Sequence, residues 1–115
     1  MKNSAKVAPV KETAVQAAIM QYLAWRGIFH WRQNNAPVFD PRRGCYRAHN
    51  GIKGLPDIAG VLKGGRAFYI EVKAQSGKVS ESQQAFIDRV TELGGLAIVA
   101  RSVNDVSAIL DKLEK

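Results

Sequence analysis

The sequence predicts an α/β domain in which helices flank a mixed central sheet. Two strand-like segments, Asp57–Leu62 and Arg66–Ala74, lie on either side of Lys63-Gly64-Gly65, which has the composition of a hairpin turn. A helical segment and then the continuous apolar run Leu96–Ala100 follow. The second hairpin strand and this run are therefore expected to pair in parallel, joined by a crossover helix. At 115 residues the chain is long enough for one such domain.

The first third of the chain predicts a helix, a strand and a loop. Residues 1–9 are small, polar and basic, and we expect a flexible tail ahead of a single domain spanning residues 10–115. An apolar stripe predicts a helix from about Val10 to Arg26, with Gly27 ending it. Residues 28–32 alternate as a short strand. Segment 33–55 is rich in turn residues and has no sustained period, so we expect a long loop there.

The last third predicts two more helices around the apolar strand. Ser80-Glu81-Ser82-Gln83 is a capping box that should open a helix running to about Leu93. Ser102 is expected to cap a final helix, whose apolar residues recur at helical spacing. The predicted order of elements is α-β-β-β-α-β-α.

The charge of the chain indicates a polyanionic partner. Seventeen Lys and Arg against ten Asp and Glu give a net charge of +7, which favours nucleic acid, although it also serves solubility. Several basic residues surround Trp31 and Tyr46, and this mixture suits phosphates and unstacked bases. The candidate DNA-binding residues are Arg32, Arg42, Arg43, Arg47, Lys53 and Lys78.

Other classes of protein are disfavoured by composition. Cys45 is the one cysteine, so an intrachain disulfide is impossible, a zinc site is unexpected and a reducing, cytoplasmic compartment is the simpler interpretation. The apolar stretches are too short for a membrane span, and the N-terminus lacks the apolar run of a signal peptide.

Three residues around the hairpin predict a metal site. Glu71 and Lys73 share one face of the second strand, and Asp57 begins the first. Two carboxylates close together repel unless a cation lies between them, and hard oxygen ligands suit Mg²⁺ or Mn²⁺. The alternatives are that Asp57 only forms a turn and that Glu71 and Lys73 form an exposed salt bridge.

This metal site requires the hairpin to place Asp57 and Glu71 on the same face. A two-residue turn at Gly64-Gly65 would pair Asp57 with Val72 and point its carboxylate away from Glu71. Either the turn has an odd length or the strand bends near Asp57. We favour a bend at Pro56-Asp57, because Ala59 and Gly60 leave space for one.

Pro56-Asp57 followed by Glu71-x-Lys73 resembles the PD-(D/E)XK nuclease motif, and the run from Lys73 to Gln83 is similar to the VRR-NUC family of virus-type replication-repair nucleases. The resemblance implies a restriction-endonuclease-like αβββαβ core with an extra C-terminal helix. It adds Glu12 to the site as a third acidic ligand, where the alternative is stabilisation of the helix dipole. It also adds Gln83, which the capping box explains equally well.

The function implied by the resemblance is that of a metal-dependent, structure-specific DNA endonuclease with Mg²⁺ or Mn²⁺ as cofactor. Its DNA would be branched, such as Holliday junctions or flaps, and the protein would act as a homodimer in a bacterial or phage-infected cell. We assign Lys73 to positioning water and stabilising phosphoryl charge, because nearby carboxylates favour its ammonium form. Two alternatives stay open: a catalytically inert DNA-binding module of the same fold, and a protein whose basic loop contacts an acidic protein.

Overall fold

The computed structural model describes residues 10–33, 38–47 and 52–113, so the tail expected at residues 1–9 lies outside the described residues. The elements in chain order are α1 Glu12–Trp25, β1 Phe29–Arg32, β2 Val38–Asp40, β3 Cys45–Arg47, β4 Ile58–Leu62, β5 Arg66–Val72, α2 Glu81–Glu92, β6 Leu96–Ala100 and α3 Val103–Leu113. Helices and strands predicted from periodicity are present, with ends that differ by one or two residues.

Four strands form a mixed sheet in the order β1-β4-β5-β6. β4 pairs antiparallel with both β1 and β5, whereas β5 and β6 are parallel. Helix α2 supplies the crossover between the two parallel strands, as the sequence predicts. The α/β fold class with a mixed sheet, flanking helices and a C-terminal helix is therefore confirmed.

The main core lies between one face of the sheet and helices α1 and α3. Alternate residues of the strands point to this face, because successive side chains of a strand project to opposite sides. The buried cluster consists of Val15, Ile19, Leu23, Ile58, Phe68, Ile70, Val72, Ile98, Ala100, Val106 and Leu110. On the opposite face, Tyr69 of β5 meets Phe86 of α2 edge to face, with ring centroids 5.1 Å apart. The sheet is thus covered by two helices on one side and one on the other.

Helix α1 ends at the glycine that the sequence indicates. Gly27 has a φ of 71°, a conformation that favours glycine. Its amide donates to Ala24 O at 3.0 Å, and the amide of Ile28 donates to Leu23 O at 3.0 Å. This pair of bonds is the Schellman arrangement, which satisfies the last carbonyls of the helix and directs the chain into β1.

The expectation of an unstructured loop over residues 33–55 is wrong in part. Strands β2 and β3 form a separate antiparallel hairpin, with Asp40 opposite Cys45. Gly44, at a φ of 65°, allows the turn, and its amide donates to Asp40 O at 2.9 Å. Each strand has only three residues, which is too short for an alternating pattern to emerge from the sequence.

Among the residues that the structure describes, no helix combines the length and apolar character that crossing a bilayer requires.

Candidate functional site

The register of the β4–β5 hairpin decides which side chains share a face. Leu62 pairs with Arg66, which leaves Lys63, Gly64 and Gly65 in a three-residue turn. Gly64 and Gly65 have φ values of 89° and 83°, so the turn needs glycine at both positions. The same register places Asp57 opposite Glu71, because Ile58 pairs with Ile70.

The bend favoured at Pro56-Asp57 is present at Asp57, but the alternative of an odd turn length accounts for the alignment. The odd turn length brings the two acidic residues to one face. The reason lies in the core: Ile58 and Ile70 are both fully buried, and a slip of one residue would turn Ile58 to the other face.

Asp57 is held at the point where β4 begins. Its Oδ2 accepts a hydrogen bond from the amide of Val72 at 2.8 Å, and its backbone carbonyl accepts one from Gln33 N at 2.7 Å. The side chain thus takes the place of a backbone acceptor beyond the end of the ladder. Because both bonds are to backbone amides, the carboxylate is fixed relative to β1 and β5 together.

Three carboxylates converge at this end of the sheet. Glu12, Asp57 and Glu71 each offer an oxygen atom, and these atoms all lie within 4.8 Å of one another. Glu12 comes from the first turn of α1, whereas Asp57 and Glu71 come from the hairpin. Glu12 is exposed, Asp57 is half-buried and Glu71 is buried, so the cluster runs from solvent into the protein.

Glu71 is the most perturbed acid of the cluster. Its exposed fraction is 2%, and its Oε1 has no hydrogen-bond partner within the described residues. Burial raises the pKa of Glu71 from 4.5 to about 8, and the neighbouring Asp57 carboxylate adds to the effect. Lys73 lowers the pKa but does not offset these causes. Strongly perturbed acids of this kind are typical of functional sites.

Lys73 lies beside the buried acid. Its Nζ is 3.8 Å from Glu71 Oε2, and its side chain is 13% exposed. The alternative of an ordinary exposed salt bridge is therefore not what the structure contains. The lysine amide donates to Ala100 O at 3.0 Å, which extends the pairing of β5 with β6 by one residue.

Arg101 anchors the loop that follows Lys73, a role that the sequence analysis missed. Its Nη1 donates to three backbone carbonyls, those of Ala74 at 2.6 Å, Gln75 at 3.2 Å and Gly77 at 2.7 Å. One charged group thus supplies hydrogen bonds to three carbonyls of the turn after Lys73. The signal available in the sequence was weak: a single arginine directly after an interior strand.

Gln83 makes the contacts of the capping box. Its amide N donates to Ser80 Oγ at 3.2 Å, and its side-chain Oε1 accepts from Ser80 N at 2.9 Å. Gln83 is linked to the site through Gly54. The backbone of Ser82 and Gln83 lies so close to Gly54 that a Cβ there would collide with it. The segment leading to Asp57 therefore packs directly on the first turn of α2, and Gly54 permits this approach.

The predicted basic residues occupy three places. Arg42 and Arg43 are exposed in the turn of the β2–β3 hairpin, where Asp40 accepts from the Arg42 amide at 3.0 Å. Lys53 and Lys78 are exposed in the segments that precede Asp57 and follow Lys73. Arg32 is exposed at the end of β1, and the side chain of Arg47 lies outside the described part of the chain.

A family model and a solved structure both match this chain to the same family. The VRR-NUC domain model matches residues 10–104. A solved structure described as a VRR-NUC domain protein superimposes with a TM-score of 0.63 and 18% sequence identity, covering 90% of this chain and 87% of that chain. A comparison with curated proteins found no match. The structural likeness concerns the fold, and the family match covers most of the domain, including every carboxylate of the cluster. The chain therefore belongs to the VRR-NUC family, whose domain is of nuclease type.

Proposed function

We propose that this protein is a deoxyribonuclease that depends on Mg²⁺ or Mn²⁺ and hydrolyses phosphodiester bonds within DNA. The observation that carries the proposal is the convergence of Glu12, Asp57 and Glu71 within 4.8 Å, with Lys73 Nζ 3.8 Å from Glu71. Carboxylates from a helix and a hairpin that meet beside a lysine suit the cleavage of a phosphodiester with a bound metal.

The residues present fit a divalent cation. A buried carboxylate oxygen without a hydrogen bond is costly, and Glu71 Oε1 is such an atom among the described residues. A cation coordinated there would give Glu71 Oε1 a partner and would offset the repulsion between the Glu71 and Asp57 carboxylates. An all-oxygen ligand set favours Mg²⁺ or Mn²⁺ over softer metals. Glu12, Asp57 and Glu71 would hold the ion.

The chemistry divides between the cation and the protein. When bound, the ion would polarise a phosphoryl oxygen and lower the pKa of water. Lys73 carries an ammonium group at the edge of the cluster, where it can orient the attacking water and stabilise the charge that develops on the phosphate. Asp57, fixed by the Val72 amide, keeps the ligand set aligned. We assign Gln83 a supporting role, since it caps the helix on which the Gly54 segment packs.

DNA is the proposed substrate because the chain carries a net charge of +7 and exposed lysines in the segments that precede Asp57 and follow Lys73. Arg32, Arg42, Arg43, Arg47, Lys53 and Lys78 are the proposed phosphate contacts. We extend the proposal to branched DNA, such as Holliday junctions or flaps, and to a homodimer that cuts both strands, as the resemblance to the VRR-NUC family implies. The single cysteine favours a cytoplasmic location, and the resemblance to the family implies a bacterial or phage-infected cell.

Cleavage of end-labelled DNA tests the proposal. Four-way junctions, flaps and linear duplexes would be incubated with Mg²⁺ or Mn²⁺ and the wild type, Asp57→Asn or Glu71→Gln. We expect both variants to lose at least about a hundredfold in cleavage rate, because each removes a metal ligand. DNA affinity should change little, since phosphate contacts come from the basic residues.

Glu92→Gln is the matched control, because Glu92 is an exposed acid on α2 that pairs with Arg89 outside the cluster. Its cleavage rate should equal that of the wild type. Turnover by Asp57→Asn or Glu71→Gln within a few-fold of wild type would contradict the assigned site. DNA binding without any cleavage by the wild type would favour the inert binding module instead.

A further inference from the structure

Two exposed aromatic rings lie on the sheet face that carries the carboxylates. Phe29 is 69% exposed and Trp31 is 42% exposed, with ring centroids 5.6 Å apart. Trp31 pairs with Ala59, which pairs with Tyr69, and residues paired across a sheet share a face. Glu71 follows Tyr69 by two residues on the same strand, so its side chain projects to this face too.

The rings are close to the proposed metal ligands. Trp31 lies one strand across and two residues along from Asp57, since its partner is Ala59 and the Gln33 amide bonds to Asp57 O. Strand spacing and rise put the two residues about 8 Å apart along the sheet. That span is comparable to one or two nucleotides of a single strand.

Helix α2 covers only part of this face. Phe86 packs on Tyr69 of β5, whereas Val61 of β4, opposite Phe29, is 39% exposed. The indole N–H of Trp31 does not need water as a partner, because Nε1 donates to Gln33 Oε1 at 3.2 Å. Hydrogen bonding to solvent therefore does not explain why the ring is exposed. Among the described residues, the face beyond α2 therefore presents the apolar surface of two rings and of Val61.

The size and charge of this surface favour a nucleobase over a second protein. From the exposed fractions, Phe29, Trp31 and Val61 present on the order of 300 Å², against about 800 Å² per partner in a stable protein interface. β1 and β4 contain no acidic residue that would repel a phosphate chain. A flat, uncharged base attached to a phosphate chain matches rings of this area in a basic protein.

We propose that Phe29 and Trp31 form a stacking site for an unpaired nucleobase of the DNA strand that enters the carboxylate cluster. The choice of ligand rests on the proposed function. The site selects DNA with unpaired nucleotides next to the bond that is cut, because a base inside a duplex has no free face to stack.

Fluorescence of Trp31 tests the site without any cleavage. The chain has two tryptophans, so Trp25→Phe leaves Trp31 as the reporter. The protein would be titrated in EDTA with an oligothymidylate of about ten nucleotides and with an abasic strand of equal length. We expect saturable quenching by the oligothymidylate and little by the abasic strand. Equal responses to the two strands would overturn the proposal.

Affinity measured by anisotropy of labelled strands separates stacking from general apolar contact. Trp31→Leu and Phe29→Ala should weaken binding to oligothymidylate about tenfold and leave binding to the abasic strand unchanged. Trp31→Phe, which keeps a ring, should retain most of the affinity. Trp25→Ala is the matched control, because Trp25 is an exposed tryptophan on α1, and it should bind like the wild type. Circular dichroism verifies that each variant is folded.

Two outcomes distinguish the stacking site from the cleavage site and from a dimer interface. Asp57→Asn should lose cleavage and still show the quenching, so failure of the nuclease proposal and failure of the stacking site are separate results. If Trp31→Leu instead shifts sedimentation from dimer to monomer, a second copy occupies the surface and the proposal is wrong.

Discussion

Among the described residues, Glu71 is the charged residue that folding buries. It is buried on the strand that also forms the core, and its Oε1 has no hydrogen-bond partner within the described residues. Folding would be easier with an apolar residue at this position, because burying an unpaired acid costs free energy. Such a cost is retained where the acid has a ligand to bind, which is the role proposed above.

The raised pKa of Glu71 predicts how the metal-free protein responds to pH. Between pH 4.5 and about 8 the folded protein keeps a proton that the unfolded chain has released. The free energy of unfolding should therefore fall as pH rises through this window, by at most about 1.4 kcal/mol per pH unit. Urea unfolding in EDTA at several pH values measures this slope.

Glu71→Gln removes the titrating group and should flatten the slope, whereas Glu92→Gln should leave it intact. Added Mg²⁺ should restore stability most at the higher pH values, because the cation binds the ionised carboxylate. If stability in EDTA rises with pH as much for the wild type as for Glu71→Gln, the assigned perturbation of Glu71 is wrong.

At the scale of elements, the register of the β4–β5 hairpin places the Asp57 and Glu71 carboxylates on one face of the sheet. The pairing of Ile58 with Ile70 is held by the core, and it carries Asp57 to the face of Glu71. The three-residue turn permits this pairing, and the buried core residues should maintain it if the turn is lengthened by one residue, because four-residue hairpin loops are also common. The spacing between Asp57 and Ile58 should therefore decide whether Asp57 lies opposite Glu71.

An inserted glycine between Asp57 and Ile58 is expected to abolish cleavage. The paired core residues keep their register, so the insertion moves Asp57 one position away from Glu71. The insertion also breaks the hydrogen bonds of Asp57 with the Val72 and Gln33 amides, so the free energy of unfolding should fall by about 1 to 3 kcal/mol. Cleavage assays and urea unfolding measure both effects on one preparation.

The matched control is a glycine inserted between Gly64 and Gly65. It changes chain length equally but leaves Asp57 opposite Glu71, so cleavage should stay within a few-fold of wild type. Retained cleavage after the insertion at Asp57 would show that the carboxylate does not need its place in the register.

At the scale of the whole molecule, the net charge of +7 predicts DNA binding that weakens as salt rises. The log-log slope should be about −0.9 for each duplex phosphate that is neutralised. Changing Arg42, Arg43 and Arg47 together to Gln should make the slope shallower, because Arg42 and Arg43 are exposed on the β2–β3 hairpin. Anisotropy over a salt series measures this slope.

A control with the same change in charge uses Lys63, Arg89 and Lys112, which are exposed outside the carboxylate cluster. Their replacement by Gln should lower affinity only through net charge and leave the slope close to that of the wild type. An unchanged slope in the triple arginine variant would show that the small hairpin does not touch DNA.

We also predict that the protein is a homodimer, because symmetric cutting of a four-way junction needs two sites related by a two-fold axis. Sedimentation at micromolar concentration, with and without junction DNA, measures the state. Monomers that retain junction cleavage would contradict this prediction.

Local chemistry was enough to predict most of the elements. Turn glycines, the capping box at Ser80 and periodic apolar residues act over a few positions, so they can be read along the chain. Both residues of the box form the expected bonds in the structure. The β2–β3 hairpin was missed because three-residue strands are too short to show a period.

The sequence by itself determined the residue types of the site and the strand that carries Glu71 and leads to Lys73. It did not determine the register, because Ile58–Leu62 is apolar on both faces and lacks the alternation that would orient Asp57. Only the tertiary structure decided that Glu12, from a helix distant in sequence, reaches the same oxygen cluster and that Arg101 anchors the loop after Lys73. Burial of Glu71 was likewise decided there. These features depend on which surfaces pack together, and packing is a property of the folded chain as a whole.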